Sequence, residues 1–439
     1  MQHASASNAG IEPADHGCNR KPWAEIDRSD LAEGFRTVRN ATESLAADLS
    51  AEDQNLQSMP ETSPVKWHRA HTTWFFEAFI LKPMAAGYQE IDPEYNYLYN
   101  SYYNGVGRQF PRPQRGLISR PDVAAVSAYR KHVDEAMLSL IANLPAARFD
   151  ELRRLLVLGL NHEQQHQELI VTDLKHGFSI NPLQPQWVAP CPAGPEPAPL
   201  KWQEFTGGIH WVGSDQEHFC FDNETPSHRV LIEDFCLADR PVTCGEFMQF
   251  MDDGGYHDPA LWLADGWDWV QRNNVRSPLY WTDKDGCWHL YTLAGQREVD
   301  PHETLCHVSF YEAWAYAEWA GKRLPTEAEW EVAAADTAVD GHFADHGALH
   351  PRSAIEPARL RQLFGDVWEW TASSYASYPG FKPARGAIGE YNGKFMANQM
   401  VLRGGSCATP AGHTRPSYRN FFYPPDRWQF TGIRLADSP

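Results

Sequence analysis

Apolar residues fall at helical spacing in four long runs before residue 181 and in short alternating bursts after residue 200, so a helical half precedes a mixed half. The first run spans about Ser29 to Leu49, with Ser29 or Asp30 as its cap. The second starts at Ser63-Pro64, where serine caps and proline takes the first turn, and carries Trp67, Ala70, His71, Trp74, Phe75 and Phe79. The third opens at Pro121-Asp122 and closes near Asn143. The fourth covers about Phe149 to His176, with Gly177 as its stop. Four helices of about twenty residues predict a bundle, whose interior is a common seat for a metal.

Seven prolines from Pro182 to Pro199 cannot continue a helix and predict a stiff extended linker. Beyond it, short strands, frequent glycines and tryptophan-rich loops are interrupted by helical patterns at about Ser309 to Ala320 and Thr326 to Ala335, which predicts an α+β domain. The expected division is a flexible tail over 1–22, a four-helix bundle over 23–181, the linker over 182–199 and the second domain over 200–439. A chain of 439 residues exceeds one ordinary core, in keeping with two domains.

Composition narrows the partners. With 57 acidic against 38 basic residues the formal charge is -19, which argues against nucleic acid and anionic membrane, since both require clustered Lys and Arg. The eight cysteines are scattered without a C-x-x-C pair and are too sparse for a disulfide scaffold. Met1 to Gly10 lacks the apolar core of a signal peptide, and the apolar runs are too short to span a bilayer. Together these features predict a soluble, reduced, cytoplasmic protein.

Between the second and third helices lies a long aromatic segment, Tyr95-Asn96-Tyr97-Leu98-Tyr99-Asn100-Ser101-Tyr102-Tyr103-Asn104-Gly105, followed by Arg108, Arg112, Arg115 and Arg120. Aromatic content of this kind argues against disorder, and the length predicts a segment folded over a site.

The candidate chemistry centres on Leu160-Asn161-His162-Glu163-Gln164-Gln165-His166-Gln167-Glu168. His162 and His166 stand four residues apart on one helix face, so both rings can reach one ion. H-E-x-x-H is also the pattern of zinc proteases, whose glutamate activates water, but four long helices are unusual company for that site. His71, between Trp67 and Trp74 on an aromatic face, offers a third imidazole; His68 points roughly sixty degrees away and is the weaker candidate. Three neutral imidazoles leave open positions on a metal, the mark of a catalytic site. The plain alternative is that these are hydrogen-bonded core histidines, with Tyr102 and Tyr103 as packing aromatics; tyrosines near a metal also serve as proton or electron donors. Cys407, in Arg403-Gly404-Gly405-Ser406-Cys407, is the alternative nucleophile, although glycines in such a run more often make tight turns.

The strings Trp67-His68-Arg69-Ala70-His71-Thr72-Thr73-Trp74-Phe75-Phe76-Glu77, H-E-x-x-H and Tyr99-Asn100-Ser101-Tyr102-Tyr103 resemble the iron-dependent sulfoxide synthases of ergothioneine biosynthesis. Arg240-Pro241-Val242-Thr243, Gly321-Lys322-Arg323-Leu324-Pro325-Thr326-Glu327, Gly365-Asp366-Val367-Trp368-Glu369-Trp370 and Gly432-Ile433-Arg434-Leu435 resemble the formylglycine-generating-enzyme type of C-type-lectin-like fold. The resemblance covers nearly all of the chain after about residue 25. It implies an α+β multidomain protein, a DinB-like four-helix bundle joined to that lectin-like domain, with iron(II) held by His71, His162 and His166. Hercynine and a thiol or related donor would bind there, and dioxygen would drive carbon–sulfur bond formation and oxidation to the sulfoxide. Glu163 has no protease duty in that scheme.

The same resemblance implies that Gln165 contacts the hercynine imidazole, that Asn420 lies near its trimethylammonium and carboxylate end, and that Phe421 holds the quaternary ammonium by cation–π attraction. Arg112 resembles an arginine placed for the donor carboxylate, and Tyr102 and Tyr103 resemble a catalytic tyrosine pair. Phe421 and Phe422 stand where the γ-glutamylcysteine-using branch has tryptophan and an acid, which implies a smaller donor such as free cysteine. Arg434-Leu435-Ala436 lacks the copper-binding cysteine pair of the formylglycine-generating enzymes. The similar selenoneine synthases, with a selenosugar donor, stand as the alternative; a non-catalytic binding module and a zinc hydrolase are more distant ones.

Overall fold

The computed structural model describes residues 14–355 and 358–439. Its N-terminal half is built on four long helices: α1 (Arg28–Ala46), α2 (Val65–Phe76), α5 (Val123–Asn143) and α6 (Phe149–Ile180). α1 packs along α6, and α2 lies against both α5 and α6. Two short helices, α3 (Lys82–Met84) and α4 (Tyr95–Tyr99), belong to the connection between α2 and α5, and a π-helical turn at Glu77–Leu81 carries α2 into α3. Every residue of α2 is buried, including Lys66, His68, Arg69 and His71. That burial requires the polar groups to be paired within the protein.

Several local expectations need correction. α1 is capped by Asp27, which forms a capping box with Asp30, so neither Ser29 nor Asp30 is the N-cap. α2 begins after Pro64 without a side-chain cap. Ser63 instead donates its backbone N–H to Asp173 at 2.8 Å and accepts from Arg115 at 2.9 Å. Gly177 does not end the fourth helix, which runs to Ile180. A Cβ at Gly177 would lie 2.4 Å from Leu56 Cδ2, so the glycine allows a loop to press on the helix. Residues 14–22 are not a loose tail: Ala14, His16 and Cys18 are buried, and Asn19 donates to Asn161 at 2.9 Å and to the Gly412 carbonyl at 3.1 Å. The remainder of that expected tail, 1–13, lies outside the described residues. The proline-rich segment is extended but strapped down, since the Trp187 and Val188 N–H groups both donate to the Leu293 carbonyl and the Tyr291 hydroxyl donates to the Pro185 carbonyl at 2.7 Å.

The second half is a set of small sheets with short helices. β1 (Trp202–Phe205), β4 (Phe235–Ala238) and β12 (Ala436–Asp437) form one sheet in the order β1-β4-β12; β2 (Gly208–Val212) pairs with β3 (His228–Ile232). β5 (Trp281–Lys284), β6 (Cys287–Thr292) and β7 (Gly295–Glu298) form an antiparallel meander. The fourth sheet has the order β10-β9-β8-β11, from β8 (Trp368–Ser374), β9 (Met400–Arg403), β10 (Asn420–Phe422) and β11 (Thr431–Gly432). α7 (Cys244–Asp252), α9 (Phe310–Trp319) and α10 (Glu327–Ala334) each start with a capping box, at Thr243/Glu246, Ser309/Glu312 and Thr326/Glu329; α8 spans Ala264–Asn273.

α6 is the element that joins the halves. Its Glu168 accepts from Trp368 Nε1 at 2.8 Å, Ser406 Oγ at 2.6 Å and Thr409 Oγ1 at 2.7 Å. Two turns further on, Lys175 Nζ lies 2.8 Å from His307 Nε2, over the rings of Phe430 and Tyr280. All eight cysteines are free, and no helix among the described residues is long and apolar enough to cross a membrane.

Candidate active site

α2 and α6 bring His71, His162 and His166 together, with one ring nitrogen of each within 4.8 Å of the others. All three are buried. His71 is clamped between Trp67 and Trp74, with ring centroids 4.6 and 5.5 Å away in near-parallel stacks. Its Nδ1 lies 2.6 Å from the Tyr99 carbonyl, which fixes the proton there and leaves Nε2 free, 3.2 Å from His162 Nε2. Burial holds His162 down to about 3 and pushes His71 and His166 well below the ordinary histidine value. The imidazoles are therefore neutral, the form that ligates a metal. Three neutral nitrogens on one side of a buried point fit a non-heme iron with positions left open, and these three residues are the ones that would hold it.

Glu163 faces elsewhere. It accepts from Arg39 Nη1 at 2.8 Å, Thr42 Oγ1 at 2.7 Å and Arg130 Nη2 at 2.9 Å, all inside the bundle. His68 does not join the trio either: its Nδ1 lies 2.7 Å from His166 Nδ1 and its Nε2 3.1 Å from Asp173 Oδ2.

The second domain closes the site from the other side. Gln165 donates from Nε2 to Tyr418 Oη at 2.7 Å and accepts on Oε1 from the Tyr391 hydroxyl. Tyr391 is stacked on Phe221 at 5.5 Å and stands 5.6 Å, ring to ring, from His162. Tyr102 and Tyr103 stack on each other at 4.6 Å. Tyr103 is fully buried against Trp74 and Phe79, and its hydroxyl interacts with that of Tyr102. Tyr102 is half-buried and meets Tyr391 and Phe395 across the domain seam at 6.4 and 5.2 Å. Burial pushes the Tyr102 phenol up to about 12 and those of Tyr103 and Tyr391 well above 10, so all three keep their protons at neutral pH.

The remaining expected residues are more scattered. Phe421 stacks on Tyr375 at 4.0 Å and on Phe395 at 6.1 Å, which links it through Phe395 to Tyr102. Asn420 turns its Oδ1 back to accept from the Phe421 N–H at 2.9 Å, and Phe422 packs edge-on against Trp428 at 6.1 Å. Arg112 is exposed and donates to the Glu61 carbonyl. The buried guanidinium is that of Arg115, 3.4 Å over the Trp67 ring and bonded to Ser63 and Ser101. Sequence reasoning missed Arg115, Tyr391 and Tyr418. Arg115 shared its basic segment with Arg112 but carried no mark of burial, and Tyr391 lies in a loop with no helical or strand period.

Comparison with known proteins agrees with both halves. The sulfatase-modifying factor enzyme 1-like domain matches residues 204–359 and 347–439, and the DinB superfamily matches residues 35–170. The chain is 33% identical over 445 residues to the hercynine oxygenase of Mycolicibacterium smegmatis, covering 94% of this chain and 99% of that protein. It is 32% identical over 401 residues to the hercynine oxygenase of Mycobacterium tuberculosis, covering 86% and 91%. With the ergothioneine biosynthesis protein 1 of Schizosaccharomyces pombe it shares 26% identity over 233 residues, 50% of this chain and 28% of that one. A helical DinB bundle followed by a β-rich sulfatase-modifying-factor domain, and similarity to hercynine oxygenases over most of its length, place this chain in the hercynine oxygenase family.

Proposed function

We propose that the protein is an oxygen-dependent enzyme that joins a sulfur donor to the imidazole carbon of hercynine and oxidises the product to a sulfoxide. The observation that carries this reading is the buried trio His71, His162 and His166 at the seam of two domains that both match hercynine oxygenases. His71, His162 and His166 would hold iron(II), which would supply the activation of dioxygen.

The chain's own residues orient and protect the reactants. Gln165 is fixed from both sides by Tyr391 and Tyr418, so its amide presents a defined edge to the hercynine imidazole. Phe421, with Asn420 beside it, receives the quaternary ammonium, which cannot donate a hydrogen bond and is held by ring faces. Tyr102 and Tyr103 are the proton or electron donors, since their phenols stay protonated beside the site. Arg112, which is exposed, takes the donor carboxylate, and a small donor such as cysteine suits a site to which neither Phe421 nor Phe422 brings a charge. The unpaired cysteines fit a reducing cytoplasm.

A selenosugar is the alternative donor. Iron-loaded protein incubated with hercynine, oxygen and either cysteine or a selenosugar distinguishes the two by the mass of the product. Absence of any carbon–sulfur or carbon–selenium product with either donor overturns the proposal.

A further inference from the structure

The three imidazoles are supported in three different ways. His71 donates to a backbone carbonyl, that of Tyr99. His162 Nδ1 is buried with no partner. His166 alone is backed by a chain of side chains: His68 Nδ1 at 2.7 Å, and beyond it Asp173 Oδ2, 3.1 Å from His68 Nε2.

The chemistry of these groups gives the chain one direction. A carboxylate only accepts, so His68 carries its proton on Nε2 and donates it to Asp173. A ligating His166 offers the lone pair of Nε2 to the ion and so keeps its own proton on Nδ1, which leaves His68 Nδ1 as the acceptor. Two facing ring nitrogens at 2.7 Å need one proton between them, so that proton belongs to His166 Nδ1, and His166 Nε2 is left as the lone pair for an ion. Asp173 is itself held, since the same Oδ2 accepts the Ser63 N–H at 2.8 Å. All three side chains are buried, so water does not compete for these bonds.

We infer that Asp173 and His68 are positioning residues for the metal centre: an Asp173–His68–His166 relay that fixes the tautomer and ring angle of His166 and makes it the most strongly donating of the three ligands. The inference rests on the three-histidine reading of the site. An outer partner that accepts the distal N–H of a ligating histidine raises its basicity, and losing such a partner weakens metal affinity about 10–100-fold.

The test uses the full-length protein, stripped of metal and titrated anaerobically with iron(II) against a chelator, with the visible spectrum of the cobalt(II) form as a second readout. Asp173→Asn keeps the shape and an acceptor for the Ser63 N–H but removes the charge. It is expected to weaken iron(II) binding about 10–100-fold and to shift the cobalt bands, with Asp173→Glu recovering part of both. His68→Gln, which breaks the relay at its middle, is expected to move both readouts in the same direction and serves if Asp173→Asn does not fold. A folded Asp173→Asn or His68→Gln variant with unchanged affinity and an unchanged cobalt spectrum overturns the relay. If the unaltered protein itself takes up no iron, the three-histidine site falls, and the relay with it.

Discussion

Glu163 sits between His162 and His166 in the sequence, yet its carboxylate closes an ion pair with Arg39 at 2.8 Å in the interior of the bundle. Arg130 and Thr42 complete its shell, so both oxygens are occupied away from the histidines. Burial of a charge without a partner is costly, which is why the two arginines come with it. Replacing Glu163 with Ala leaves two guanidinium groups short of a counter-charge. The expected loss is about 3–5 kcal/mol of stability by denaturant unfolding, while the iron content of the protein that remains folded is retained. Loss of iron binding without loss of stability would return Glu163 to the metal site.

Tyr102 and Tyr103 stack together but differ in surroundings: Tyr103 is enclosed by Trp74 and Phe79, and Tyr102 faces the seam with Tyr391 and Phe395. Replacing either with Phe removes one hydroxyl and little packing. The expected result is a change in product partition, toward oxidation of the thiol donor alone, with iron affinity kept within about two-fold because neither phenol touches a ligand nitrogen. Mass analysis of products beside iron titration checks this.

Gly159 lies on α6 where it meets α2. A Cβ there would come within 2.5 Å of Phe76 Cε1 and 3.2 Å of Phe75 Cε1, and both rings are fully buried. Helix propensity alone would make Gly159→Ala stabilising by about 1 kcal/mol. Overpacking is expected to reverse the sign, with a net loss of about 1–2 kcal/mol in thermal or denaturant unfolding. Because Phe75 packs on His162 at 4.5 Å, a shift of the cobalt spectrum is expected as well.

Lys175 is buried at the domain junction, and burial lowers its ammonium to about 8 from the ordinary 10.5. Its folded value lies below its unfolded value, so between pH 8 and 10.5 the unfolded chain binds more protons and stability rises with pH. The slope this one group contributes is at most about 1.4 kcal/mol per pH unit. Lys175→Met fills a similar volume and titrates in neither state. The difference in unfolding free energy between the two proteins is expected to shrink as pH rises through this window. A difference constant from pH 7.5 to 10.5 would mean that Lys175 stays fully ionised.

Much of this molecule could be read from residues near each other in the chain. Helical periods placed α1, α2, α5 and α6 within a few residues, and Asp122, Ser309 and Thr326 marked starts that proved to be caps. Gly177 and Ser63 misled because a stop signal and a cap signal are also what a close approach and a buried hydrogen bond require. The loop tail failed for the same reason: residues 14–22 have no period, but a surface built by both domains binds them.

By itself the sequence determined the two halves, the i,i+4 pair His162 and His166, and the aromatic face that carries His71, because a 3.6-residue period fixes which side chains share a side. It did not determine what comes to meet them. That Tyr391 reaches Gln165 across 226 positions, that Arg115 rather than Arg112 is buried, and that His68 backs His166 with Asp173 behind it were decided only when α6 packed between the bundle and the second domain. Local spacing orients a side chain relative to its own helix; its partners are set by burial, which forces each polar group in a closed interior to find whatever the distant chain supplies.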